Sequence, residues 1–245
     1  MAYRIVAVLA SLAMAAAAAD LTQVEVFQQG ENGVSTYRIP SIITTPKGSV
    51  LAFAEARHNN QHDHGFIETV MKRSTDLGAT WSSIQVIAGD PGNAIQNPTV
   101  VIDRKTGYLW MLLIWSDAHK YADDAALRKV ETQFRRLLVV RSKDDGKTWS
   151  KPKDITKAVC PAEYKECVVG PGVGIQLRDG RMVIPSYRVR SGSRAAEDYV
   201  IYSDDHGKSW HQGGAVPGNM DECQVVELKD GSLMMNMRSN EKQFR

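Results

Sequence analysis

Apolar and polar positions follow one another along this chain in runs of strand length, each closed by a turn signal. The clearest run is residues 222–238, Glu-Cys-Gln-Val-Val-Glu-Leu-Lys-Asp-Gly-Ser-Leu-Met-Met-Asn-Met-Arg. It predicts two short strands joined at Asp230-Gly231, because glycine accepts the positive φ that a tight hairpin turn needs. In an antiparallel hairpin the first and last residues lie side by side, away from the turn. Glu222 and Arg238 hold those places, so a carboxylate and a guanidinium meet at the open end.

The unit recurs. Residues 39–57 turn at Lys47-Gly48, 97–115 at Thr106-Gly107 and 172–188 at Asp179-Gly180. Their open ends carry Arg38 with Arg57, Asn97 with Trp115, and Tyr187 with Arg188. Turn glycines about sixty residues apart signal a repeat architecture, and repeats made of strands alone predict propeller blades. Pro40 removes a backbone donor and is expected at a strand start. Weak alternation at Val24 and Val26 predicts an opening strand within 20–27.

A second motif marks each repeat. Ser74-Thr-Asp76-Leu-Gly78-Ala-Thr80-Trp81 returns at 142–149 and at 203–210. Its physics is a self-contained turn. The Asp and Ser/Thr side chains bond nearby backbone, glycine takes a positive φ, and the tryptophan packs into the sheet. Each copy follows one strand and precedes another, so it joins strands 3 and 4 of a four-stranded unit. Both turn types then share one face. Arg38, Arg57, Asp63, Asn97, Trp115, Tyr187, Glu222 and Arg238 share the opposite one, around a common axis.

Composition adds limits. A formal net charge of +2 argues against a dedicated nucleic-acid or membrane surface. Residues 1–19, with Arg4, an apolar run and Ala17-Ala18-Ala19, read as a secretory signal peptide cleaved near Asp20. That leaves 20–245 as the mature domain, predicted secreted or periplasmic, with no later run long enough to span a bilayer. Cys160 and Cys167 are near enough to pair in an oxidising compartment, which leaves Cys223 for buried packing. Residues 118–136 interrupt the pattern and read either as a loop over the site carrying a short helix or as a surface insertion.

Tyr37-Arg38-Ile39-Pro40 resembles the Arg-Ile-Pro motif of the sialidases (neuraminidases), and the three Ser-x-Asp turns look like that family's Asp-boxes. Glu55-Ala-Arg57, the aspartate that follows at Asp63, and Glu222-Cys-Gln-Val225 keep the family's order. The resemblance runs from about Val24 to the last residue. It implies an all-β, six-bladed β-propeller that removes terminal sialic acids from glycoconjugates with retention of configuration, and no cofactor.

It also implies roles. Arg38 and Arg238 match two of three arginines that grip the substrate carboxylate, work that suits a planar guanidinium fork. Arg57 resembles a further arginine at the site edge, which either binds substrate or orients the acid. Asp63 matches the loop acid/base, and Glu222 the glutamate that deprotonates a tyrosine nucleophile. A neutral nucleophile avoids repulsion from the substrate's own carboxylate. Asn97 and Tyr187 look like pocket-lining residues, with a purely structural role equally open. His58, His62, Asp63 and His64 could also be read as metal ligands, but Asn59, Asn60 and Gly65 argue for a plain loop, and no metal is expected.

The family's third arginine and its tyrosine lie further on, and no tyrosine follows Tyr202. The expectation is a C-terminally truncated catalytic domain of roughly four blades. A non-catalytic sialic-acid-binding propeller and an unrelated Asp-box scaffold stay open as alternatives. The expected partners are sialylated glycoconjugates.

Overall fold

The computed structural model describes residues 23–118 and 135–241. The signal segment expected at 1–19 lies outside the described residues, as does 119–134, most of the interrupting stretch.

Four antiparallel units follow one another. The first is β1 (Thr36–Thr44), β2 (Val50–Arg57), β3 (Ile67–Ser74) and β4 (Gln85–Ala88). The second is β5 (Ala94–Ile102), β6 (Leu109–Ser116), β7 (Arg135–Ser142) and β8 (Lys153–Asp154). A single parallel rung, Ile67 to Ala94, joins these two. A short helix, α1 (Thr156–Val159), leads to β9 (Tyr164–Val169) and β10 (Gly172–Val173). The third unit is β11 (Ile175–Gln176), β12 (Met182–Arg190), β13 (Ala196–Ser203) and β14 (His211–Val216). Its inner edge is broken. β9 pairs with one end of β12 and β11 with the other, while β10 between them runs parallel to β5. β15 (Met220–Glu227) and β16 (Leu233–Ser239) form a fourth hairpin.

Residues 23–27 form no strand, against expectation. Two alternating valines bury too little to hold an edge, and Val24 is exposed. Phe27 instead stacks on Tyr37 at 5.3 Å. Pro40 also departs from expectation, since it lies inside β1 rather than at its start. Pairing with β2 shifts there, between Arg38 and Ser41, so no ladder bond is asked of the missing N–H.

Successive side chains on a strand face opposite ways, and β6 uses both faces. Met111 and Leu113 pack with Leu51, Phe53 and Met71 of the first unit. Trp110, Leu112 and Ile114 pack with Met182, Ile184 and Ile201 of the third. Val225 carries the contact on from Leu177 and Val183 to the fourth. A strand buried on both faces reads as an apolar run, which is why 109–114 shows little alternation. Cys160 and Cys167 form a disulfide, and Cys223 is free and buried.

The three Ser-x-Asp turns are near-copies. The glycine N–H bonds the serine Oγ at 2.8, 2.9 and 2.9 Å (Gly78, Gly146, Gly207). The aspartate accepts the N–H of Thr80, Thr148 and Ser209 at 2.9, 2.8 and 2.9 Å. Of the tryptophans, Trp210 is buried as expected, whereas Trp81 and Trp149 are only partly so. Gly207 is required twice over: its φ is 82°, and a Cβ there would collide with the Trp110 ring.

Candidate active site

The site begins with three strand irregularities at equivalent places. Pairing slips between Arg38 and Ser41 in β1, Gln96 and Thr99 in β5, and Met220 and Cys223 in β15. An extra residue bends a strand and re-aims the side chains beside it. Ile39 and Asn97 both take a φ of 53°. For a β-branched isoleucine that is strained, by about 1–3 kcal/mol, and such strain persists only where the surroundings enforce it. Pro40 and Pro98 follow these two residues.

Arg38, Ile39, Pro40, Pro171, Gly172, Glu222 and Arg238 line one cleft of about 490 Å³. The two arginines and the glutamate come from opposite ends of the chain, as the hairpin reading required. Arg238 is braced from behind. Its Nε and Nη2 donate to the two carboxylate oxygens of Asp221 at 2.7 and 2.6 Å. Its Nη1 donates to Glu222 Oε2 at 2.5 Å. Burial pushes the Glu222 carboxyl above the ordinary range and Asp221 and Asp63 add to it, while Arg238 and Arg38 pull it back.

Asp63 sits exposed on the loop between β2 and β3. Its carboxylate meets Arg57 Nη1 at 2.8 Å and Arg38 Nη1 at 3.4 Å. Three hydrogen bonds hold the loop backbone, two of them from the same guanidinium nitrogens. Arg57 and Arg38 reach Gln61 O at 2.6 and 3.1 Å, and Gln96 Nε2 reaches Asp63 O at 2.9 Å. Arg57 itself is 1% exposed. Its Nε and Nη2 donate to Glu55 at 2.9 and 2.5 Å, and Glu55 also accepts the Asn97 N–H at 2.9 Å. Burial raises the Glu55 carboxyl, against the pull of Arg57 and of that N–H. Arg57 thus sits between the buried Glu55 and the exposed carboxylate of Asp63.

The remaining expected residues divide. Asn97 is turned into structure, with Nδ2 on Val169 O at 3.0 Å. Tyr187 is partly buried and faces Arg135, Asp221 and Glu222, and burial drives its hydroxyl far above the tyrosine range. Trp115 stays on the rim, with Nε1 on Asp90 at 2.7 Å and Arg136 over its ring at 3.7 Å. Arg188 turns away from the axis. It lies between the Tyr164 and Tyr199 rings at 4.2 and 4.7 Å, paired with Glu197. His58 stacks on Phe66 and pairs with Glu68, and His62 stacks on His64. Among the described residues no three His, Cys, Asp or Glu are set to hold a metal.

Four residues complete the arrangement: Asp221, Gln96 and Arg135, which sequence reasoning passed over, and Glu55, which it named in a motif without a role; Arg135 pairs with Glu166 at 3.0 Å beside Tyr187. Asp221 could have been found, since it stands next to Glu222 on the same strand end.

Comparison with known proteins sharpens the picture. The BNR repeat-like domain matches residues 39–245. A sialidase of Bacteroides fragilis (strain YCH46) is 32% identical over 225 residues, covering 86% of this chain and 41% of that protein. Sialidase-3 of Bos taurus is 34% identical, covering 82% of this chain and 51% of that one. Among solved structures, the Hadza microbial sialidase Hz136 superposes with a TM-score of 0.81 at 33% identity, over 87% of this chain and 44% of that one. Trypanosoma rangeli sialidase in complex with the inhibitor DANA gives 0.72 at 27% identity, over 83% and 34%. The chain thus spans about half or less of these relatives. Its all-β architecture is that of the sialidase β-propellers. With its three Asp-box turns and its paired arginines, this chain belongs to the sialidase family of BNR-repeat proteins.

Proposed function

We propose that this chain carries the substrate-gripping half of an exo-α-sialidase, acting on terminal α-ketosidically linked sialic acids of glycoproteins, glycolipids and oligosaccharides. The observation that carries the reading is the single cleft lined by Arg38, Glu222 and Arg238. A sugar carboxylate entering it would take the guanidinium forks of Arg38 and Arg238. Arg238 can give up its bond to Glu222 for this and keep its two bonds to Asp221. Glu222, its proton affinity raised by burial, is then free to accept the proton of a tyrosine nucleophile. Asp63 would protonate the departing glycosidic oxygen as the tyrosine oxygen bonds the anomeric carbon. It would then take a proton from the water that releases the sugar.

The test is release of sialic acid from a fluorogenic sialoside by the full-length protein, lost in Asp63→Asn and in Glu222→Gln. Free sialic acid binding, followed by NMR and lost in Arg38→Ala, is the second readout. Failure of both ends the reading. One observation favours an alternative, a non-catalytic sialic-acid-binding propeller: Tyr187, the tyrosine that faces Glu222, is held firmly protonated by its burial. Binding that survives Asp63→Asn and Glu222→Gln with no hydrolysis would select it. The reading includes export from the cytosol, and the Cys160–Cys167 disulfide supports that, because such bonds persist in oxidising compartments.

A further inference from the structure

We infer that the flank of the molecule carries a second binding groove, separate from the cleft, that takes a polyanionic glycan. A cavity of about 1070 Å³ runs between β7, β8 and α1 on one side and the Ser-x-Asp turn of the third unit on the other. Six cationic side chains line it: Arg136, Arg141, Lys151, Lys153, Lys157 and Lys208. Asp154 is the acid that faces them, and its Oδ1 accepts the Thr156 N–H at 2.8 Å. None of the six is in an ion pair among the described residues. A chain whose net charge is only +2 has thus gathered a fifth of its 30 basic residues around one groove. Like charges focused by low-dielectric walls repel one another and draw in a polyanion, which relieves the repulsion.

The chemistry favours a saccharide over a nucleic acid. Base binding relies on open aromatic faces, and the one exposed ring lining the groove, His211, is already set against Tyr202. Trp110 and Trp210 at its floor are 6% and 3% exposed. The planes of Arg136 and Arg141 already lie over Trp115 and Trp110, at 3.7 and 5.1 Å. The four exposed lysines are flexible point charges, suited to carboxylates or sulfates repeated along a chain. The groove also meets the cleft region through one strand. Neighbours on β7 face opposite ways, so Arg135 turns to Glu166 beside Tyr187 and Arg136 turns to the groove. A glycan whose terminal sugar occupies the cleft would leave it near that rim, and this choice of ligand rests on the sialidase reading.

The experiment measures binding of the full chain to heparin, to polysialic acid and to neutral dextran, at low and high salt. A triple charge reversal, Lys151→Glu with Lys153→Glu and Lys208→Glu, should weaken both polyanions by roughly tenfold or more, and high salt should do the same to the wild type. Dextran should not bind. Arg38→Ala should leave heparin binding unchanged, which separates the groove from the cleft, and a chain without sialidase activity should still bind heparin. Tighter binding of heparin assigns sulfate as the preferred anion, and tighter binding of polysialic acid in the Arg38→Ala background assigns carboxylate. Binding unaffected by the reversal overturns the groove. A single-stranded DNA oligomer bound as tightly as heparin overturns the glycan. Thermal melts check folding, and Lys208→Ala alone, with a smaller loss in the same direction, serves if the triple variant does not fold.

Discussion

Asp198 on β13 is fully buried, and neither of its carboxyl oxygens has a hydrogen-bond partner among the described residues. The Cys223 thiol faces it from β15, with Asp221 nearby, and burial pushes its carboxyl from 3.8 up to about 7. In the unfolded chain the same group ionises at its ordinary pKa. Below 3.8 both states hold the proton, so Asp198 costs nothing there. As the pH climbs from 3.8 to about 7 the unfolded state releases its proton first, so stability falls across that window and then levels off. The interval from 3.8 to about 7, at about 1.4 kcal/mol per pH unit, comes to about 4 kcal/mol. Asp198→Asn removes the titration and keeps the shape. Any cost of burying an amide is the same at every pH and cancels when two pH values are compared. Urea unfolding followed by tryptophan fluorescence, at about pH 4 and about pH 8, should show the variant gaining about 4 kcal/mol on the wild type between them. A gap that stays within about 1 kcal/mol, or that moves against the variant as pH rises, refutes the argument.

Other outcomes follow from the same geometry. Asp76 and Asp205 are held at about 2, Asp76 chiefly by the Thr80 hydroxyl and Asp205 by Ser209 bonds that outweigh its burial. Their stabilisation is present above the ordinary aspartate range and is lost as pH falls through about 2, so Asp76→Asn should flatten the acid-unfolding curve in that window. Gly207→Ala combines a φ of 82° with a collision against the Trp110 ring and should lower stability by about 2–4 kcal/mol in a thermal or urea melt. Gly214→Ala, with nothing within 4 Å, should move it by no more than about 0.5 kcal/mol. Asp221→Asn slackens the brace on Arg238 and should raise KM for a fluorogenic sialoside roughly tenfold while changing kcat less.

Much of the site was legible because its logic is local. The turn at Gly231 places Glu222 beside Arg238 whatever the rest of the chain does, and the Ser-x-Asp turns close on bonds spanning two to four residues. Strand direction then carries the charged hairpin ends to one face and the Ser-x-Asp turns to the opposite one. Tyr187 and Arg188 show where local reasoning stopped short. Neighbours on a strand cannot share a face, and only Tyr187 turns toward the cleft. The opening strand expected near Val24 failed for a related reason, since alternation has meaning only when a partner sheet waits to cover it.

By itself, then, the amino-acid order determined the strand–turn rhythm, the end of each hairpin at which charge collects, and the family. Tertiary structure alone decided the rest. It set the strained backbone at Ile39 and Asn97, the bond from the Asn97 N–H to the buried Glu55 beneath Arg57 and Asp63, and the row of cations along the flank. Those features join residues that are remote in the chain or held in conformations their own propensity disfavours, and only the packing of one sheet on the next supplies the energy that keeps them there.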